Sequence, residues 1–241
     1  MNDAVAEPAR NLAKPSGEAP RTEAQAPQKS AVREYGEAFG IALILALIIR
    51  TFFVQAYKIP SGSMEPTLLI GDHILVNKLL YGLRLPDSFF GLTIPGIPWG
   101  HYVFPLESVH RGDVVVFVFP PDPTKDFIKR VIGVSGDTVA VKDGKVFLNG
   151  QPMDDPHAHF EVNQEERSPV SPRDNFGPVT VPAGKLLMMG DNRDRSYDGR
   201  FWGFVDTNQV EGRAILIYWS WDSDGAGILP IRWSRFGKIV Y

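Results

Sequence analysis

From Ala38 to Ile49 the chain runs 12 residues without one polar side chain, and this run limits how everything after it can be arranged. Arg50 can lay its aliphatic stem along apolar surface and keep its charge in the headgroup layer. Counting it, the apolar stretch reaches 17 residues, Ala38 to Val54. An interior helix of a globular domain would show a polar face, and this run has none. A cleaved leader would find small residues at Val54-Gln55-Ala56, but the segment ahead of the run is long for a leader. A transmembrane signal anchor at residues 36–55 fits best. Five Lys/Arg precede it (Arg10, Lys14, Arg21, Lys29, Arg33), whereas only Arg50 and Lys58 occur between there and Lys78. That bias puts the N-terminus in the cytoplasm and residues from about 56 onward on the extracytoplasmic side of the inner membrane, in a single pass through its lipid.

Residues 1–30 are Ala, Pro, Glu, Gln and Ser with few large apolar groups, so burial cannot offset their ordering entropy. A disordered tail over 1–35 is expected. The 241-residue chain is 44% hydrophobic, enough for a sizeable core beyond the anchor, over residues 56–241. A net charge of −3 argues against nucleic acid as a partner. With no cysteine there are no disulfides, thiol nucleophiles or thiolate metal sites. His157-x-His159 is the one close pair among five scattered histidines, too few ligands for zinc, so neither metal nor other cofactor is expected.

Past the anchor the pattern is that of strands. His73–Leu80, Asp113–Phe119 and Phe127–Val134 are rich in β-branched and aromatic residues. Thr138–Lys142 and Lys145–Leu148 flank Asp143-Gly144, a strong hairpin signal. Lys185–Met189 and Ala214–Trp219 complete a set separated by Gly, Pro and Asp turns. The fold expected is mainly β: an anchor helix, then a sheet or partly open barrel-like domain with an insertion or long loop at about 151–178. The apolar, breaker-rich stretch Phe89–Phe104 reads either as a loop over the core or as a patch at the membrane interface.

Three stretches carry candidate chemistry. Pro60-Ser61-Gly62-Ser63-Met64-Glu65-Pro66 sets two serines in a backbone held extended and turned by its prolines. Alone it reads as a turn as readily as a nucleophile. Asp126–Gly133 puts Lys129 on a strand with apolar neighbours on both faces. Such a lysine either guards an exposed sheet edge or sits in a dry pocket. Unperturbed, roughly one lysine in a few thousand is neutral at pH 7, and burial can lower its pKa by about 3–5 units. A neutral lysine can take the proton of a serine hydroxyl without any histidine. The third stretch, Gly190–Gly203, crowds Asp and Arg together. Asp194-x-Ser196-x-Asp198-Gly199 starts like a calcium loop, but Val205 stands where a bidentate Glu is needed. An internal ion-pair and turn network is the better reading.

Four boxes occur in one order behind the anchor: Pro60–Leu68, Arg111–Val116, Lys129–Asp137 and Gly190–Arg200. Together they closely resemble the boxes of bacterial type I signal peptidases, over about residues 38–241. The resemblance implies a serine endopeptidase that cleaves signal peptides from exported preproteins after small residues at positions −3 and −1. It implies Ser63 as nucleophile and Lys129 as general base. Ser61 matches the serine whose hydroxyl helps line the oxyanion hole, and Ser196 the serine that hydrogen-bonds and orients the lysine. Asp198 and Arg200 match residues that brace the site. Ile59, Leu68, Phe127 and Ile128 match positions lining the shallow pockets for the small side chains. The alternatives are an anchored, non-enzymatic β domain that binds cell-surface partners, and a self-cleaving Ser–Lys protease.

Overall fold

The computed structural model describes residues 31–85, 95–96, 100–163, 168, 170–222 and 230–241. Of the tail expected over 1–35, residues 1–30 lie outside them and 31–35 are helical rather than disordered. Of the 89–104 stretch, Phe89, Phe90 and Trp99 lie outside them, and Tyr102–Phe104 belong to a strand.

Helix α1 (Ala31–Phe52) is 22 residues long, about 33 Å at about 1.5 Å per residue, against about 30 Å for a bilayer's hydrocarbon core. It begins earlier than the apolar run. The polar lead-in remains helical, with an Arg33–Glu37 ion pair one turn apart and Glu34 and Arg50 matching the helix dipole. Its large apolar side chains, Phe39, Ile41 and Ile44 among them, are exposed. By length and composition this helix is long and apolar enough to cross a membrane.

The chain divides into two compact units, residues 1–42 and 43–241, and all strands belong to the second. They are β1 (Val54–Lys58), β2 (Asp72–Asn77), β3 (Gly82–Arg84), β4 (Tyr102–Pro105), β5 (Val114–Val118), β6 (Asp126–Val134), β7 (Thr138–Lys142), β8 (Lys145–Leu148), β9 (Gln151–Pro152), β10 (Phe176–Thr180), β11 (Lys185–Met189), β12 (Val205–Asp206), β13 (Val210–Ser220) and β14 (Lys238–Ile239). The main sheet runs β1-β2-β13-β5-β6-β11-β12, with β14 also on β13, and curls into a half-barrel. A second sheet runs β10-β7-β8-β9, and β3 pairs β4. The mainly β class expected from the sequence is thus the observed one. The ends of the 151–178 stretch are strands of the second sheet, β9 and the start of β10, rather than loop. A one-turn helix, α2 (Gly199–Trp202), is too short to leave a helical period in the sequence.

Because β6 is central, its alternate side chains feed different clusters. Ile128 packs with Ile59, Met64, Leu68, Ile74 and Val116, whereas Val131 packs with Val115, Phe117 and Met188. Lys129 pairs Val115 of β5 and is 3% exposed, so it guards no solvent-facing edge. The pairing with β11 nevertheless stops at Arg130, and no described strand pairs the other side of residues 127–129. At the far end of the main sheet a buried polar knot holds the chain. Asp72 accepts hydrogen bonds from Leu69 N (2.8 Å), Ser220 Oγ (2.6 Å) and Arg235 Nε (2.9 Å), and Arg235 also donates to Thr67 O (2.9 Å). Asp72→Ala leaves the Arg235 charge buried without its partner, and the expected loss is about 3–5 kcal/mol in a denaturant melt. A loss below about 1 kcal/mol would show that water replaces the carboxylate there.

Candidate active site

Two serines and a lysine meet because three chain segments end at one place. Pro60 closes the extended segment after β1, and Gly62–Met64 forms a single short helical turn. Ser61 stands at its N-terminal cap in extended conformation (φ −139°), with no capping hydrogen bond from its side chain, and it is exposed. Ser63 and Met64 are buried inside the turn. The first N–H groups of a helical turn have no partner within it, so the Ser63 N–H is aimed outward as a donor. Its carbonyl accepts from Asn192 N at 3.2 Å, which fastens the turn to the 190–196 loop.

Strand β6 supplies the lysine. Its pairing with β11 ends at Met189 opposite Arg130, so the chain leaves the sheet at Gly190, beside Lys129. The Lys129 Nζ lies 2.7 Å from Ser63 Oγ and 2.9 Å from Ile128 O. Burial disfavours the ammonium form and pulls the Lys129 pKa down to about 8; the carboxylates of Asp198 and Asp191 limit the drop. The neutral amine is then a common species near neutral pH.

Around this pair the charges are matched and buried. Arg130 donates from Nε and Nη2 to the two oxygens of Asp191, both at 2.7 Å, and from Nη1 to Gly112 O at 2.7 Å. Thr67 Oγ1 adds a third bond to Asp191 at 2.6 Å. This hub ties the segment after Ser63 to the strand of Lys129 and to the 190–196 loop. Asp198 accepts from Arg200 Nε (2.8 Å), Arg200 Nη2 (2.8 Å) and Gly190 N (3.0 Å). Burial opposes its ionisation, but the two-pronged guanidinium outweighs that and holds the carboxyl below the usual range. Arg200 also reaches the carbonyls of Arg173 (2.9 Å) and Arg193 (2.8 Å). Asp194 accepts from Glu161 N and Val162 N, so the carboxylates of the calcium-like run turn to separate partners.

The sequence-derived candidates fall into distinct groups. Ser63 and Lys129 are in contact, and Asp198 and Arg200 form one pair beside them. Ser196 is fully buried and lies close enough to the Asp198 carboxylate to help hold it ionised; Lys129 Nζ bonds to Ser63 and Ile128 rather than to Ser196. Ile59, Leu68 and Ile128 converge with Met64 in one cluster. Phe127 does not join them, because the strand's period of two turns it to the opposite face, where it stacks on Phe119 at 4.0 Å. Reading the residues had not singled out Arg130, Asp191, Thr67 or Gly190. All four lie within the quoted boxes, yet nothing in spacing says that Thr67, Arg130 and Asp191 share one hub. Gly190 is required by space: a Cβ there would lie 2.3 Å from both Ser196 Oγ and Ser63 O. Gly190→Ala forces those groups apart and is expected to cost about 1–3 kcal/mol in a denaturant melt. An unchanged midpoint would mean that the loop moves aside freely.

Comparison with known proteins agrees with this geometry. The family model described as signal peptidase, peptidase S26, matches residues 32–219. Signal peptidase I of Pseudomonas aeruginosa is 35% identical, over 86% of this chain and 78% of its own length. Signal peptidase I of Pseudomonas fluorescens is 37% identical over the same shares, 86% and 78%. Signal peptidase I of Aquifex aeolicus is 34% identical over 75% of this chain and 81% of its own. With its serine and lysine 2.7 Å apart and its sequence matched across both, the chain belongs to the signal peptidase family, peptidase S26, of serine endopeptidases.

Proposed function

We propose that Ser63 is the nucleophile and Lys129 the general base of a membrane-anchored signal peptidase whose substrates are preproteins with small residues at −3 and −1. The observation that carries this reading is the 2.7 Å approach of a buried lysine amine to a serine oxygen. Neutral Lys129 takes the Ser63 proton as Oγ attacks the carbonyl carbon of the −1 residue. The resulting oxyanion is held by the Ser63 N–H and the Ser61 hydroxyl, which no cap bond ties up. Protonated Lys129 passes its proton to the leaving amine. It then serves again as base for the water that frees the acyl group. Asp198 and Arg200 brace the loop that carries Ser196. The Ser196 hydroxyl, buried beside Asp198, orients the lysine amine.

Substrate docks as an added strand. On the side facing β11, residues 127–129 carry no strand among the described residues, so their backbone is open to an extended peptide. The cluster of Ile59, Leu68 and Ile128 with Met64 underlies the pockets for small side chains, and its near-complete burial leaves no depth for large ones. In the same reading the residues ahead of α1 are a cytoplasmic tail, α1 crosses the inner membrane once, and the strands from β1 onward form the catalytic domain on the extracytoplasmic side. Tethering keeps the enzyme concentrated near membrane-held precursors. Two other readings, a non-enzymatic binding domain and a self-cleaving protease, have no comparable support: the first leaves the buried dyad without a purpose, and the second leaves the apolar helix without one.

The test uses the full chain in detergent with a precursor bearing Ala at −3 and −1. Ser63→Ala and Lys129→Ala are each expected to lower cleavage by roughly a thousandfold or more, and Ser61→Ala by about 10²–10³-fold. Cleavage by Ser63→Ala at the parental rate would sink the assignment. The base must be unprotonated, so the single-turnover rate should rise about tenfold per pH unit below the Lys129 pKa of about 8 and level off above it. A flat profile from about pH 5 to 9 would contradict a titrating lysine.

A further inference from the structure

The loop that leaves the main sheet at Gly190 has a companion. Residues 155–162, which follow β9, run alongside it. His159 N donates to Asp191 O at 2.7 Å and Arg193 N to His159 O at 2.9 Å, a parallel bridge between His159 and Asn192. Asp155 grips the buried Arg193 guanidinium, and Glu161 N and Val162 N donate to Asp194 at 2.7 and 2.8 Å. Backbone bonds of this kind place a loop whatever side chains it carries. The Glu161 side chain does something more specific. Its Oε1 accepts from Asn192 Nδ2 at 2.8 Å, and its Oε2 meets Arg195 Nε at 2.5 Å. The Arg195 side chain is 68% exposed, so that pair contributes little. The bond to Asn192 is different, because Asn192 is fully buried.

Asn192 is also the residue that holds the carbonyl of Ser63. Its N–H donates to Ser63 O at 3.2 Å, the long end of the range, so the bond persists only while the donor is kept in place. The Asn192 side chain is pinned at both ends. Its Oδ1 accepts from Arg195 N at 3.2 Å, and its Nδ2 makes the shorter, charge-assisted bond to Glu161. Removing that carboxylate leaves a buried donor without this acceptor, and Asn192 shifts to find another. We propose that residues 155–162 are a strap that sets the nucleophile turn, with Glu161 a positioning residue acting on Ser63 through Asn192. This rests on the assignment of Ser63 and Lys129 above. Glu161 lies outside all four boxes, so the strap adds a part to the site that the motifs do not contain. It acts on the reaction without touching the substrate.

The experiment measures kcat and KM separately, with the full chain in detergent and a precursor bearing Ala at −3 and −1. Glu161→Ala should lower kcat about three- to tenfold and leave KM within about twofold, because a misplaced reacting atom slows the chemical step. The inflection of its pH profile should stay at the parental value, since Lys129 is not altered. Glu161→Gln keeps an oxygen for Asn192 Nδ2 and gives up only the charge toward Arg195, so kcat should stay within about twofold of the parent. Asn192→Asp sets two carboxylates against each other and should lower kcat about tenfold. Adding Glu161→Gln to it restores the bond with donor and acceptor exchanged, and should recover about threefold or more. Four results would overturn the proposal. Glu161→Ala keeps the parental kcat; Glu161→Gln loses as much as Glu161→Ala; the double variant recovers nothing; or Glu161→Ala raises KM alone. Failure of the underlying assignment looks different, because Ser63→Ala would then cleave at the parental rate whatever stands at 161.

Discussion

Taking a lysine ammonium out of water is costly, and the arrangement around Lys129 follows from that cost. A strand packed on both faces is needed to bury the side chain. Its end must also meet a group able to use a neutral amine, which is the Ser63 hydroxyl at 2.7 Å. Two carboxylates nearby, Asp191 and Asp198, would restore the charge on the lysine if they were uncompensated. Each is instead locked to an arginine, Asp191 to Arg130 and Asp198 to Arg200, with side chains at most 2% exposed. The buried ion pairs thus keep negative charge close enough to order the loop while limiting its pull on the amine.

The same pairs explain how distant segments stay in register. Ser63 and Lys129 are 66 residues apart, and Thr67 and Asp191 are 124 apart. Arg130, the neighbour of the base, shares Asp191 with Thr67, four residues after Ser63. A shift in any one of the three segments would therefore be felt at the others. Arg193 is gripped by Asp155, and Arg200 by the Arg173 carbonyl, so the 190–203 region is held from both ends of the 151–178 stretch.

Local signals in the sequence were legible where local forces decide the structure. The hairpin Thr138–Lys142 to Lys145–Leu148 and the strand Lys185–Met189 have the bounds that alternation and turn chemistry suggest. Strand β1 was hidden, because Val54 reads as the end of the apolar run and Tyr57-Lys58 as the approach to a proline turn. The order of the main sheet, with β13 between β2 and β5, rests on pairings far apart in sequence and leaves no local mark. In the site, apolar neighbours on both faces of Lys129 fitted either an edge guard or a dry pocket, and the structure buries it. The hub of Arg130, Asp191 and Thr67 had no such signal, since charged residues read alike whether they face water or each other. Phe127 and Ile128, matched by resemblance to the small-side-chain pockets, leave β6 on opposite faces, which the pairing of apolar residues in sequence does not tell apart.

The central claim is that burial makes the Lys129 amine a base near neutral pH. Its most direct test is an NMR titration of the side chain in full-length protein labelled on lysine, in the Ser63→Ala background so that no turnover occurs. One lysine resonance, absent from a Lys129→Arg sample, should titrate with an apparent pKa of about 8. If that resonance instead titrates with the remaining lysines, near the unperturbed value of about 10.4, the amine is charged at neutral pH and the account is contradicted.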